Sequence, residues 1–318
     1  MSPRKTALTL ALLWSAFLAG CGSTSTATTG TGNATCPTSG SATSTGSGSV
    51  SIGSKGFAEE QLLASMTQLV LQKHGFNVTY SYQAKDPTLG QALESGTIDM
   101  YWQYTGTELQ GPLAVTNPPG DLHEAYNLAK TKDEARGICW NDEGVFNDTN
   151  GLAAKSENKA KYGTTLTQLA AYLKANPNTK LCVNSEFLTR PDGTPGLNKT
   201  YGNYFSGPGV VGSGQSTFES ALASGQCEIG EVFTTDSGIA ANNLYTFEDD
   251  KKFFPPDNVG LLVRSSVQKA HPEIGAIMEP VVAKLDNATM TQLNKQVEID
   301  NKKVVDVAKA WLTQNGFL

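Results

Sequence analysis

Residues 49–70 read SVSIGSKGFAEEQLLASMTQLV. Residues 49–52 alternate serine with Val50 and Ile52, the pattern of a half-buried strand. Gly53-Ser54-Lys55-Gly56-Phe57 then turns the chain. Leu62, Leu63, Met66, Leu69 and Val70 follow at i, i+1, i+4, i+7 and i+8, one apolar face of a helix that ends at Gly75. Further along, residues 77–82 read as a second strand and 89–94 as a short helix closed by Gly96. Residues 98–104 read as a third strand. Strand, helix, strand, helix, strand is the succession of a parallel sheet with crossover helices.

The pattern recurs. Residues 166–173 and 218–223 read as helices, and 181–184 and 229–233 as strands. Three more helices are expected near 272–285, 290–297 and 304–313. The expected fold class is α/β: two lobes, each on a mostly parallel sheet flanked by helices, with a cleft between them. Lobe 1 comprises residues 50–147 plus 257–318 and lobe 2 residues 148–256. The chain crosses at 147–150 and 254–257, and these crossings form the expected hinge. Ligands of open parallel sheets lie beyond the carboxyl ends of the strands. Those ends are Lys55 and residues 101–107, 185–190 and 233–236.

The N-terminus reads as an export signal over residues 1–20: Arg4 and Lys5, an apolar run over 7–18, then Leu18-Ala19-Gly20-Cys21. The run is too short to span a bilayer comfortably. Its end resembles the bacterial lipobox, which makes Cys21 the lipidation candidate and the first residue of the mature chain. Residues 22–49 are almost entirely Ser, Thr, Gly and Ala, the composition of a flexible tether. The expected location is the extracytoplasmic side of the cell membrane, held by lipid. Cys36, Cys139, Cys182 and Cys227 remain, and in an oxidising compartment two disulfides are expected from three pairings. Cys182 and Cys227 each open a strand-like run, which favours pairing them and leaves Cys36 with Cys139.

A net charge of −6 with scattered lysines and arginines argues against a nucleic-acid partner. The chain has no G-x-S-x-G elbow and no phosphate-binding glycine loop, and His123-Glu124 does not continue as H-E-x-x-H. All three histidines, His74, His123 and His271, fall in or beside expected surface helices. No C-x-x-C spacing suggests zinc. The chain is therefore read as a non-enzymatic protein without cofactor or metal.

Four segments carry a resemblance: residues 52–60 (IGSKGFAEE), 96–107 (GTIDMYWQYTGT), 186–197 (EFLTRPDGTPGL), and 233–236 (FTTD) running on through 248–256 (EDDKKFFPP). In this order they resemble the glycine betaine, carnitine and choline-binding proteins of osmoprotectant ABC importers, which have the type II periplasmic-binding fold. The resemblance implies a small polar or zwitterionic solute and a membrane permease as partners. It implies that Lys55, Thr107 and Arg190 meet a ligand carboxylate, a role suited to a bidentate guanidinium. It also implies a cage of aromatic faces around a quaternary ammonium, with Tyr104 at one position. Three cage tyrosines are replaced, by Asn150, Phe233 and Asp257, and Asp148 beside the first crossing joins the candidate contacts. Trp102 either supplies a further face or is buried by strand alternation. Asn150 and Asp257 match a cation bearing N–H donors, or a polar neutral solute, better than a bare trimethylammonium. A sensory lipoprotein of the same fold is the alternative role.

Overall fold

The computed structural model describes residues 36–37, 47–85, 88–141, 143–215 and 217–318. The expected signal peptide, Cys21 and most of the tether lie outside them. Among the described residues ten strands form two five-stranded sheets. The first holds β1 (Gly48–Ser54), β2 (Phe76–Gln83), β3 (Met100–Tyr104), β4 (Ile138–Asn141) and β10 (Val259–Arg264), in the order β2-β1-β3-β10-β4. The second holds β5 (Asn150–Lys155), β6 (Leu181–Asn184), β7 (Val210–Ser213), β8 (Ile229–Phe233) and β9 (Leu244–Thr246), in the order β7-β6-β8-β5-β9.

The sheets share one plan. β1 runs parallel to β2 and β3, and β6 parallel to β7 and β8. β10 and β5 run antiparallel to their neighbours. Four strands of each sheet thus point one way and the fifth is reversed. The reversed strand is the one the chain enters directly from the other sheet. Such a segment arrives at the end where the parallel strands finish, so it must run backwards through the sheet. Neither β5 nor β10 was anticipated from the sequence; His123 lies in the Leu122–Glu134 helix, which packs with β4.

The first sheet is covered on both faces. Val50, Ile52, Met100, Trp102 and Leu261 pack against the helices Ala58–Lys73, Glu273–Val282, Asn287–Glu298 and Val304–Gln314. Tyr101, Trp140 and Leu262 pack against Leu89, Leu93 and Tyr126 on the other side. Alternation along β3 sends Trp102 fully inside, where its indole N–H donates to Thr67 Oγ1 at 2.9 Å. Trp102 is therefore a core residue and not a cage face. In the second sheet, Leu152, Val183 and Ile229 face one core and Ala153, Cys182 and Val232 another.

Both expected disulfides are present, Cys36–Cys139 and Cys182–Cys227, with Cα separations of 5.6 and 6.0 Å. β6 lies beside β8, and backbone bonds from Glu228 and Ile229 to Lys180 O bring the second pair together.

Candidate functional site

Strand register builds the site. Val259 pairs with Tyr104 at the end of β3, and Asn150 pairs with Phe233 at the end of β8. Continuing each ladder past the sheet, Thr105 N–H donates to Asn258 O at 3.0 Å and Thr234 N–H to Thr149 O at 2.9 Å. The next residues out are Asp257 opposite Thr107 and Asp148 opposite Thr235. The two crossing segments also bond to each other, by Asp148 N–H to Asp257 O at 3.1 Å and Asp257 N–H to Asn147 Oδ1 at 2.7 Å. The crossings, the ends of β1, β3 and β8, and the Asn287–Glu298 helix thus meet in one place.

Two small spaces open there, of about 280 and 260 Å³. Phe57, Glu59, Asp236 and Asn294 line the first; Thr107, Asn150, Asp192 and Asp257 line the second; Asp148 and Phe233 line both. Spaces of this size suit a small molecule. Of the described residues lining them, the ionisable ones are all acids.

Lys55 and Tyr104 come together but stand behind this lining. The Lys55 ammonium donates to Gln103 Oε1 at 2.5 Å, lies 3.7 Å from Glu60, and sits 4.6 Å above the Tyr104 ring. The Tyr104 hydroxyl donates to Glu59 Oε1 at 2.6 Å. At 3 % exposure, Tyr104 offers no open face. Phe57 and Phe233, at 42 % and 38 %, are the exposed rings.

Thr107 and Asp257 also meet, in an unexpected way. The Asp257 carboxylate accepts from Thr107 N–H at 2.9 Å and from its hydroxyl at 3.1 Å. Arg190 is engaged within its own loop. Its guanidinium grips Asp192 bidentately, with both bonds at 3.0 Å. Asp192, not Arg190, lines the second space.

Burial sets the protonation of the acids. Glu59, 3 % exposed, accepts from Tyr104 and, at 2.8 Å, from Asn294 Nδ2. Desolvation, helped by the charge of Asp148, nevertheless pushes its carboxyl up to about 8. Desolvation, then Glu219, raises Asp236 to about 9. Asp257 is raised to about 6 by burial, against the hydrogen bonds from Thr107. Burial likewise raises Asp148, although Thr235 Oγ1 donates to it at 2.6 Å.

Glu59, Asp236, Asn294 and Phe57 were not singled out from the sequence. A signal for the first existed. Glu59 lies three and four residues before Leu62 and Leu63, on the helix's buried stripe, and a carboxylate on an apolar face at a strand–helix turn is unusual.

The family profile described as "substrate binding domain of ABC-type glycine betaine transport system" matches residues 48–314. A glycine-betaine-binding protein of Pseudomonas aeruginosa is 32% identical over 277 residues, 84% of this chain and 88% of that one. An ergothioneine transport permease/ergothioneine binding protein of Helicobacter pylori, EgtU, is 29% identical over 83% of this chain, which spans 47% of that protein. Apo YehZ from Escherichia coli superposes with a TM-score of 0.79 at 27% identity, covering 85% of this chain and 99% of that structure.

Proposed function

Because the chain belongs to the family of substrate-binding domains of ABC-type glycine betaine transport systems, we propose that it captures a small organic cation or zwitterion and delivers it to a membrane permease. Residues 50–147 plus 257–318 act as one lobe and 148–256 as the other, hinged at the two crossings. The observation that supports this most is the meeting of Phe57 and Glu59, which follow β1, with Phe233 and Asp236, at and after the end of β8, around one small space. A solute there touches both lobes, so its binding energy favours the closed arrangement. The shift cannot exceed the difference in its affinity for the two arrangements. The family consists of transport receptors, and incubation is expected to return the solute chemically unchanged.

Calorimetric titration of the ligand-stripped protein with glycine betaine, choline, carnitine and proline betaine tests the reading. Micromolar binding of at least one is expected; silence from all four, with folded protein, overturns it. Phe57→Ala and Phe233→Ala should each weaken a quaternary ammonium by about 0.5–2 kcal/mol, the value of one cation–π face. Unchanged affinity in both variants would remove the rings from the site.

We further propose that Cys21 carries the lipid anchor. Cys21→Ser should abolish incorporation of a radiolabelled fatty acid into the protein, since it removes the thiol that would carry the lipid. Equal labelling of the two proteins would refute this assignment.

A further inference from the structure

We propose that the cleft selects small organic cations that carry no carboxylate, and that Asp257 imposes this choice. The proposal rests on the solute-binding reading above and names its ligand class.

Two donor groups near the cleft have the geometry to hold a carboxylate, and the chain fills both itself. Thr107 presents its N–H and its hydroxyl to the two oxygens of Asp257, at 2.9 and 3.1 Å. Arg190 presents its fork to Asp192. The Asp257 contact is shaped by its neighbour. A Cβ on Gly106 would lie 2.8 Å from Pro256 O and 3.0 Å from Asp257 Oδ1, so only glycine lets the crossing segment seat its carboxylate on Thr107. An incoming carboxylate would have to displace Asp257. It would then leave that charge buried and without its two Thr107 donors, where desolvation and the Asp148 charge oppose it and the Lys55 ammonium offsets only part of the cost.

A carboxylate-free cation meets no such obstacle. The lining carboxyls attract it as they ionise, and the exposed faces of Phe57 and Phe233 suit an ammonium. One further group points the same way. Asn294 is 5 % exposed and lines the first space. Its Nδ2 donates to Glu59 Oε2 and to Thr235 O, which fixes the orientation of the amide. Its Oδ1 has no donor among the described residues. A buried acceptor without a donor is costly, and a ligand that brings positive charge relieves it.

Choline and glycine betaine make the test, since they share a trimethylammonium group and differ in a hydroxymethyl against a carboxylate. The wild-type protein should bind choline at least tenfold more tightly. Asp257→Ala, which frees Thr107 and removes a charge, should shift that ratio tenfold or more toward glycine betaine. Asp257→Asn removes the charge and keeps the shape, so it should shift the ratio in the same direction by less. It also serves if the alanine variant fails to fold. Glycine betaine binding as tightly as choline to the wild type overturns the proposal, as does an unchanged ratio in the folded variants. Binding of carnitine or proline betaine with choline silent overturns the ligand class alone. Silence from every one of these solutes overturns the solute reading with it.

Discussion

Glu59→Gln is expected to weaken binding of a cationic solute about a hundredfold at pH 8.5, the ~3 kcal/mol that a buried charge-assisted contact can carry. In the empty cleft burial holds the Glu59 carboxyl up to about 8, so near neutrality it is largely protonated. A bound cation favours the carboxylate, and the proton must leave. Wild-type affinity should therefore rise with pH from about 6 to 8, by up to about tenfold per unit for one released proton, and level off above the free-state value. The glutamine variant cannot release that proton. Its affinity should be less steep by one proton over the same window, with the remainder coming from Asp148, Asp236 and Asp257. Calorimetry in buffers of different ionisation enthalpy counts the protons directly. Equal proton release by the two proteins would remove Glu59 from the cation site.

Two of these acids, together with Glu231, buried in β8, make stability depend on pH in the empty protein. Glu59 rises from 4.5 to about 8, Asp236 from 3.8 to about 9 and Glu231 from 4.5 to about 7. A raised acid keeps its proton in the folded state after the unfolded chain has lost it. Folding is then progressively disfavoured as pH climbs from the unfolded value to the folded one. The acids that are lowered on folding, Asp121, Asp250, Asp286 and Glu228, act below about pH 4.5 and do not overlap this window. Urea denaturation should find the empty protein less stable at pH 8 than at pH 6 by at least about 3 kcal/mol, the effect of a single retained proton at ~1.4 kcal/mol per pH unit, with each further retained proton adding to it. Glu59→Gln should make the decline shallower by one proton and change stability least near pH 4, where Glu59 is mostly protonated in both the folded and the unfolded chain. A wild-type profile that is flat or rises from pH 6 to pH 8 would contradict the assignment. A bound cation should stabilise the protein more at pH 8 than at pH 6, because the protons that oppose it are already gone.

Much of the site's location was legible in the chain, and less of its chemistry. The strand–turn–helix at 49–70 and the repeat after residue 166 placed Lys55, Tyr104 and Phe233 at strand ends, where the structure has them. The disulfide pairing followed from two cysteines opening adjacent strands. The resemblance assigned Thr107 and Arg190 to a ligand carboxylate. The structure shows both engaged by Asp257 and Asp192. Asp192 is two residues from Arg190, yet nothing in their spacing says that they pair rather than both face solvent. Asp257 and Thr107 are 150 residues apart, and only β10 pairing with β3 brings them together.

By itself the sequence determined the two-lobed α/β plan and the family, because hydrophobic period, turn residues and local motifs act over a few residues at a time. The protonation of Glu59 and Asp236, the burial of Trp102 and Tyr104, and the occupation of Thr107 by Asp257 were decided only by tertiary structure. Each depends on which groups lie across a packed interface and how much water they exclude. Desolvation and long-range hydrogen bonding belong to the folded arrangement of the chain and cannot be read from any short stretch of it.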